Sequence, residues 1–246
     1  IVPIDSEHSG LYQLLKTVNK EDVNRLIITA SGGALRDYPL EKLNDATLKE
    51  AINHPTWTMG QKITVDSSTM MNKVFEIIEA YYLFNFDYHK IQAVMDKESK
   101  IHAMIELNDG TIKYHYAKND MHLPIEYAMQ YPNSVDFNAT STTYPTYIQM
   151  KDANNLESLD EVRFPLLQMA YTTLERGKFS GVILNASNEA LVNKFIKGEI
   201  KYGDIIKGIM DAMKKFNFDH LEYNLENILY VNDQVIKEVS KWIVSC

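Results

Sequence analysis

Hydrophobic positions in the first half of the chain come in short runs that polar turns separate. Runs of this length, rich in β-branched residues, are typical of buried strands. The strands predicted in this way are Arg25–Thr29, Ile91–Met95, Ile101–Leu107 and Thr111–Tyr116. The Asn108-Asp109-Gly110 segment between the last two runs is a strong hairpin signal. At least one strand pair is therefore antiparallel, and we predict a mixed sheet.

Three- and four-residue spacing of apolar positions predicts helices elsewhere. The stretch from Met70 to Phe84 is rich in apolar residues and contains neither Gly nor Pro. Beyond Leu159 the helical spacing dominates. The residues and segments that show it are Phe164, Leu167, Ala170, Tyr171, Leu174, Ala190–Ile196, Tyr202–Phe216 and Val235–Val244. This end of the chain is predicted to form a small helical bundle.

The stretch 131–158 differs from both halves, because it combines Pro132, Pro145 and a Thr/Ser-rich piece with weak periodicity. We interpret it as a linker. The predicted class is therefore α/β (α+β), with a mixed-sheet domain at 1–130, a linker at 131–158 and a C-terminal helical domain at 159–246.

Composition narrows the classes of protein to consider. Of the 246 residues, 45% are hydrophobic, and 15 Tyr and 9 Phe argue against disorder. The formal net charge of −8 disfavours a nucleic-acid partner, which requires a basic face. No uncharged apolar run has the length of a membrane span, so we expect no membrane partner. The one cysteine, Cys246, permits no internal disulfide and indicates a reducing compartment.

The first residues carry a candidate metal site. Asp5 and Glu7, separated by one residue after an apolar run, could converge on a hard cation such as Mg²⁺ or Mn²⁺. The alternative is that Asp5 or Ser6 caps a helix that continues through Leu15, with Glu7 in its first turn. These residues alone leave both interpretations open. The chain also begins at Ile1 without Met, so we expect the natural polypeptide to start further upstream.

Two segments are candidates for binding phosphate. Ser31-Gly32-Gly33 ends a predicted strand, where small residues let backbone N–H groups approach an anion, although an ordinary turn has the same pattern. Asp66 to Thr69 precede the helix predicted at Met70–Phe84, where unpaired N–H groups favour an anion. Phosphate could lie against Ser67, Asn72 and Lys73, with Glu76 directed at a metal from the same helix face. The alternative is a capped helix with a surface Asn72–Glu76 or Lys73–Glu76 pair.

Three further residue groups are less specific. His54, Trp57 and Met59 occupy a loop bounded by Pro and Gly, which either packs down or closes over a ligand. His102 lies in a predicted strand, where a core histidine is the common case. Met121 belongs to an Asn-Asp-Met segment that could be a simple connection.

The order of these motifs resembles the 1-deoxy-D-xylulose 5-phosphate reductoisomerase family. The matching segments are Val2 to Ser9, Thr29 to Gly33, His54 to Lys73 and Leu184 to Glu189. The resemblance implies that Asp5, Glu7 and Glu76 hold the divalent metal and that Ser6 contacts the sugar. It also implies a phosphate site and a mobile lid, and places two further residues near the active site. The residues concerned are Ser31, Ser67, Asn72 and Lys73 for phosphate, His54, Trp57 and Met59 for the lid, and His102 and Met121 nearby.

The same resemblance implies an activity. A metal-bound ketose phosphate would be isomerised and then reduced by NADPH to 2-C-methyl-D-erythritol 4-phosphate, with Glu7, Glu76, His54, Trp57 and Met59 in catalytic roles. No Gly-rich dinucleotide motif follows a strand here, so NADPH is expected to bind through an N-terminal domain missing from this chain, which would not turn over alone. A homodimer in the bacterial cytoplasm is expected, or a plastid location if a transit peptide lies upstream.

Some positions depart from the family pattern, and two alternatives stay open. Val74 stands where the family usually has Gly, Ala34-Leu35-Arg36 where it has Pro-Phe-Arg, and Asp96-Lys97-Glu98 where it has a His-Pro pair. One alternative is a related oxidoreductase that acts on another sugar or polyol phosphate. The other is a non-catalytic module that binds metal and phosphate or serves dimerisation.

Overall fold

The strands and helices of the computed structural model are described for residues 1–133 and 156–242. Within these ranges the strands are β1 Val23–Ala30, β2 Ile91–Asp96, β3 Ile101–Leu107, β4 Ile112–Tyr116 and β5 Leu156–Glu157. The first α-helices along the chain are α1 Ser6–Leu15, α2 Leu48–Ala51, α3 Gln61–Ser68, α4 Met71–Phe84 and α5 His122–Gln130. The later α-helices are α6 Gln168–Arg176, α7 Ser180–Ile196, α8 Tyr202–Lys215 and α9 Leu225–Val239. The chain forms two compact units, 1–31 with 76–159 and 32–75 with 160–246.

The first unit is built on a sheet with the strand order β4-β3-β1-β2-β5. Strand β1 runs parallel to β2 and antiparallel to β3, and β3 pairs antiparallel with β4. The mixed sheet that the hairpin signal predicted is thus confirmed. The central strand β1 is buried over most of its length because its neighbours cover both of its edges and its side chains are largely apolar.

Helix α1 lies against β3 and β4, and a glycine sets how closely it packs. A Cβ atom at Gly10 would lie 3.1 Å from the Cβ of Ala103 and 3.2 Å from the Cβ of His115. Only a residue without a side chain fits this approach without displacing the sheet. Helix α1, which follows Asp5 and carries Glu7, is therefore held close to the sheet.

The second unit is mostly helical, and α7 contacts α3, α6, α8 and α9. Its fully buried side chains include Phe179, Leu191 and Tyr202. Gly208 of α8 allows a close crossing with α7, because a Cβ there would lie 2.7 Å from the Cδ1 atom of Leu191. The helical C-terminal part that the spacing predicted is confirmed.

Most of the predicted element boundaries agree with the structure to within one or two residues. Two helices are exceptions: α7 begins at Ser180 rather than at Ala190, and α9 spans Leu225–Val239 rather than Val235–Val244. Helix α9 begins earlier because the Asn224 side chain accepts a hydrogen bond from the backbone N–H of Asn227 and caps it. The domain boundaries stay a prediction, because residues 134–155 of the predicted linker lie outside the described residues. Among the described residues, no helix combines the length and the apolar character that crossing a membrane requires.

Candidate metal and phosphate site

Three carboxylates of the first unit converge at the beginning of α1. Asp5 immediately precedes this helix, Glu7 lies in its first turn, and Glu76 lies in the second turn of α4. One carboxylate oxygen from each residue lies within 4.8 Å of the others. Asp5 occupies the N-cap position, but its side chain makes no capping hydrogen bond. The structure therefore disagrees with capping as the role of Asp5 and agrees with convergence of the carboxylates.

The chemistry of this cluster fits a hard divalent cation. Two like charges about 4 Å apart repel each other by roughly 4 kcal/mol at the effective dielectric of a protein surface. The repulsion is relieved by protons or by a cation. The donor set consists of carboxylate oxygens, which are the ligands that Mg²⁺ and Mn²⁺ prefer. The hydroxyl of Ser6 donates a hydrogen bond to the Glu7 carboxylate, which orients that side chain.

A buried histidine connects the two helices that carry the carboxylates. The Nε2 atom of His8 lies 2.9 Å from the backbone oxygen of Glu76 and donates a hydrogen bond to it. The ring also stacks on Phe84 with a centroid distance of 6.3 Å. His8 is not among the predicted site residues, although it directly follows Asp5-Ser6-Glu7. Its role depends on a partner 68 positions away, which spacing does not reveal.

Asp5 also belongs to a second group, with His8 and Glu79, whose ligand atoms also lie within 4.8 Å of one another. The Nδ1 atom of His8 is 3.9 Å from Asp5 and 3.8 Å from Glu79. The Glu79 side chain is 55% exposed, whereas Glu76 is only 2% exposed. The all-oxygen group with Glu76 is therefore the better candidate for a hard cation, because it is better shielded from water and needs no nitrogen ligand.

The turn between α3 and α4 differs from the prediction. Asp66 and Ser67 were expected in a loop before one helix, but they form the last turn of α3. Helix α3 begins directly after Gly60, and the hydroxyl of Thr64 donates to the Gly60 carbonyl at 2.8 Å, which helps to hold the first turn. Met70 has a φ of 64° and interrupts the helical path before α4 starts.

Asn72 and Lys73 lie in the first turn of α4, as predicted. Lys73 is only 4% exposed and Glu76 is buried as well, so the alternative of a surface pair is wrong. Val74, which departs from the family pattern, is fully buried. Its bulk is thus accommodated in the core of the protein.

Gly33 brings the Ser-Gly-Gly segment against the end of α3. A Cβ at this position would lie 2.6 Å from the backbone oxygen of Ser67 and 2.7 Å from the Cα of Ser68. Gly33 also has a φ of +68°, a backbone conformation that residues with a side chain rarely adopt. Both observations require glycine at this position, and phosphate binding by the segment that begins with Ser31 stays a prediction.

The loop between α2 and α3 is organised by His54. The Nδ1 atom of this ring accepts hydrogen bonds from the backbone N–H groups of Thr56 at 3.2 Å and Trp57 at 2.9 Å. Burial, with a contribution from the nearby Arg36 guanidinium, lowers the pKa of His54 to about 4. The ring is therefore neutral near pH 7, with its proton on Nε2. The loop that carries Trp57 and Met59 is confirmed, and its role as a lid stays a prediction.

His102 is buried in β3, next to His115 of β4, with 6.0 Å between the ring centroids. Burial, with a smaller contribution from His102, lowers the pKa of His115 to about 4. The start of β3 is fixed by Asp96, whose carboxylate accepts hydrogen bonds from the N–H groups of Glu98, Lys100 and Ile101. This carboxylate organises the turn at the segment that departs from the family pattern.

Met121 lies at the beginning of α5 and is 37% exposed. Neighbouring Asn119 donates a hydrogen bond to the backbone oxygen of Glu98 at 3.0 Å. The segment before α5 is thereby tied to the turn that precedes β3.

The fold and the carboxylate cluster define a mixed α/β protein with a candidate site for a divalent cation. Two family models match the chain. One is described as the 1-deoxy-D-xylulose 5-phosphate reductoisomerase C-terminal domain and covers residues 1–84. The other, described as the DXP reductoisomerase C-terminal domain, covers residues 116–238. The chain belongs to the 1-deoxy-D-xylulose 5-phosphate reductoisomerase family.

Relatives and solved structures agree with this assignment. A 1-deoxy-D-xylulose 5-phosphate reductoisomerase from Sulfurihydrogenibium sp. is 41% identical over 96% of this chain and 62% of its own length. The Zymomonas mobilis enzyme in complex with NADPH is 30% identical, with a TM-score of 0.88 over 99% of this chain and 62% of that one. A DOX-P reductoisomerase in complex with NADPH, fosmidomycin and magnesium is 31% identical, with a TM-score of 0.88 over 98% and 62%. The chain thus spans about three-fifths of the relatives it matches.

Proposed function

We propose that this chain is the metal- and substrate-binding part of an enzyme that converts 1-deoxy-D-xylulose 5-phosphate to 2-C-methyl-D-erythritol 4-phosphate with NADPH. The observation that carries the proposal is the convergence of Asp5, Glu7 and Glu76 in a member of this family. A solved neighbour that holds magnesium, NADPH and fosmidomycin supports it. The NADPH-binding part is proposed to correspond to the portion of the relatives that this chain does not cover.

The three carboxylates would hold Mg²⁺ or Mn²⁺, which when bound polarises the ketone of the substrate as a Lewis acid. Ser6 is proposed to contact the sugar and at the same time to orient Glu7 through its hydrogen bond. His102 and Met121 are proposed as further substrate contacts. Because His102 is buried in a strand, its position would change little when substrate binds.

The phosphate group is proposed to be bound by Ser31, Ser67, Asn72 and Lys73. The Lys73 ammonium is buried, so it acts in a medium of lower dielectric than water and attracts a phosphate more strongly there. Binding energy from the phosphate holds the reacting carbons in place. The His54 loop, with Trp57 and Met59, is proposed to exclude water when it closes.

Binding of fosmidomycin, a hydroxamate that also carries a phosphonate, tests both parts of this proposal. Calorimetry on the purified protein is expected to show tight binding only with Mn²⁺ present. Lys73→Met keeps an unbranched side chain of similar size and removes its charge, so it should weaken fosmidomycin binding by more than tenfold, or at least ~1.4 kcal/mol, and leave the Mn²⁺ affinity unchanged. Lys197→Met, at an exposed position, is the matched control. Equal fosmidomycin affinity with and without Mn²⁺ would contradict the proposal.

We also propose a location in the bacterial cytoplasm, which the bacterial relatives support.

We further propose that the protein is a homodimer. Strand β4 lies at one end of the described sheet and exposes Ile112 and Tyr114, and an exposed apolar edge strand is suited to pairing with a second copy. Light scattering after size exclusion should give twice the mass of the chain, and Tyr114→Lys should lower it.

A further inference from the structure

Two side chains of the C-terminal helices reach the last turn of α3, on either side of Ser67. The Nδ2 group of Asn188, in α7, donates a hydrogen bond to the Asp66 carboxylate at 2.8 Å. The hydroxyl of Tyr202, in α8, donates to the backbone oxygen of Ser68 at 2.8 Å. Both hydrogen bonds are buried, and they hold the residues directly before and after Ser67.

Burial of the Asn188 side chain in the core costs free energy. It is 0% exposed, and its Oδ1 atom has no hydrogen-bond partner among the described residues. An apolar residue of the same size would avoid burying this unpaired oxygen. The amide therefore serves through its donor, and the acceptor of that donor is Asp66.

Asp66 is held from two sides. Its second carboxylate oxygen accepts a hydrogen bond from Lys62, one turn earlier in α3, at 2.7 Å. With one oxygen bonded within α3 and the other bonded to α7, the side chain has a fixed orientation. The end of α3 is thus tied to the helical bundle by polar bonds, which are directional, as well as by apolar packing.

The turn that follows needs such support. Met70 has a φ of 64°, a conformation that residues other than glycine rarely adopt. Backbone of this kind persists where the surrounding structure holds it in place. Asn188 and Tyr202 act two to four residues before this point, at the place where the path from Ser67 to Asn72 and Lys73 is set.

We infer that Asn188 and Tyr202 are positioning residues for the phosphate-binding turn: they hold Asp66 and Ser68 so that Ser67 and the start of α4 face the substrate phosphate. This inference rests on the proposed function. It makes α7 and α8 part of the binding machinery, although neither residue is expected to touch the substrate.

The test is the affinity of the purified protein for fosmidomycin at saturating Mn²⁺, with the affinity for Mn²⁺ alone as a second measurement. Asn188→Leu should weaken fosmidomycin binding about tenfold and Tyr202→Phe about threefold, because the turn loses one of the two hydrogen bonds that hold it. The Mn²⁺ affinity should stay unchanged in both. Ser187→Ala is the control, since the Ser187 hydroxyl bonds to Ile183 within α7 and not to α3. It should lower stability without changing either affinity.

An exchange of the Asp66 and Asn188 side chains distinguishes a positioning role from a general effect on stability. The double variant Asp66→Asn with Asn188→Asp restores the hydrogen bond in the opposite direction and should recover most of the fosmidomycin affinity. Tyr202→Phe changes one atom and keeps the test valid where Asn188→Leu does not fold. If the wild-type protein binds fosmidomycin and these variants bind it equally well, this inference alone is overturned. If the wild-type protein binds none, the proposed function falls and the inference with it.

Discussion

The Nε2 atom of His8 donates a hydrogen bond to the backbone oxygen of Glu76 at 2.9 Å, in the interior of the protein. This bond joins the helix that follows Asp5 and carries Glu7 to the helix that supplies the third carboxylate. The geometry of the carboxylate cluster therefore depends on a residue that is not one of the three proposed ligands.

His8→Phe should weaken metal binding without removing it. Phenylalanine keeps a ring to stack on Phe84 but cannot donate to the Glu76 carbonyl, and the loss of one intramolecular hydrogen bond costs about 0.5–1.5 kcal/mol. We expect a several-fold loss of Mn²⁺ affinity, measured by calorimetry. His220→Phe, at an exposed position, is the control. Unchanged affinity in His8→Phe would show that α1 and α4 hold the cluster without this bond.

Gly33→Ala should destabilise the protein more than a glycine substitution at an open turn. The new Cβ would meet the backbone of Ser67 and Ser68 at 2.6–2.7 Å as well as requiring a positive φ. Overpacking of this kind costs about 1–3 kcal/mol, beyond the roughly 1–2 kcal/mol of a left-handed residue.

Gly110→Ala is the matched control for that change, because Gly110 also has a positive φ but has no atom within 4 Å of the position that a Cβ would take. Urea unfolding of both variants measures the difference in the free energy of unfolding. An equal loss of unfolding free energy in Gly33→Ala and Gly110→Ala would mean that the backbone around Ser67 moves aside easily.

Asp96→Ala should destabilise the start of β3. Three backbone N–H groups lose a charged acceptor, and hydrogen bonds to charged groups contribute about 1.5–3 kcal/mol each when buried. We expect the free energy of unfolding to fall by about 3 kcal/mol in total, because water replaces some of the lost hydrogen bonds. Asp109→Ala, which removes the acceptor for one N–H in an exposed hairpin, should cost less than about 1 kcal/mol. Thermal unfolding compares the two, and similar losses would contradict this account of Asp96.

Stability should rise with pH between about 4 and 6.5. The pKa of both His54 and His115 falls from 6.5 in the unfolded chain to about 4 in the folded protein. In this window the unfolded state binds more protons than the folded state, so acid favours unfolding; above the window both states are neutral. Denaturant unfolding at a series of pH values measures the slope. His54→Gln and His115→Gln should each reduce this slope, and a slope unchanged in both variants would contradict the prediction.

The strands and the hairpin were predictable because short apolar runs and an Asn-Asp-Gly turn are local signals. Helix α3 was missed because its Thr, Asp and Ser residues have modest helix propensity, and its start at Gly60 depends on backbone context. The convergence of Glu76 with Asp5 and Glu7 came from the resemblance to the family. The bond between Asn188 and Asp66 spans 122 positions, a separation at which spacing carries no information about contact.

The most direct test of the account is the effect of Mn²⁺ on the melting temperature of the wild-type protein and of Glu76→Gln. Glutamine has the shape of glutamate without its charge, so the cluster keeps its packing and loses one anionic ligand. Mn²⁺ at a hundred times its dissociation constant should add about 2.7 kcal/mol to the stability of the wild type, and this gain should disappear in Glu76→Gln but persist in Glu79→Gln. A gain that survives in Glu76→Gln, or that is lost only in Glu79→Gln, would contradict the assignment of Asp5, Glu7 and Glu76 as the metal ligands.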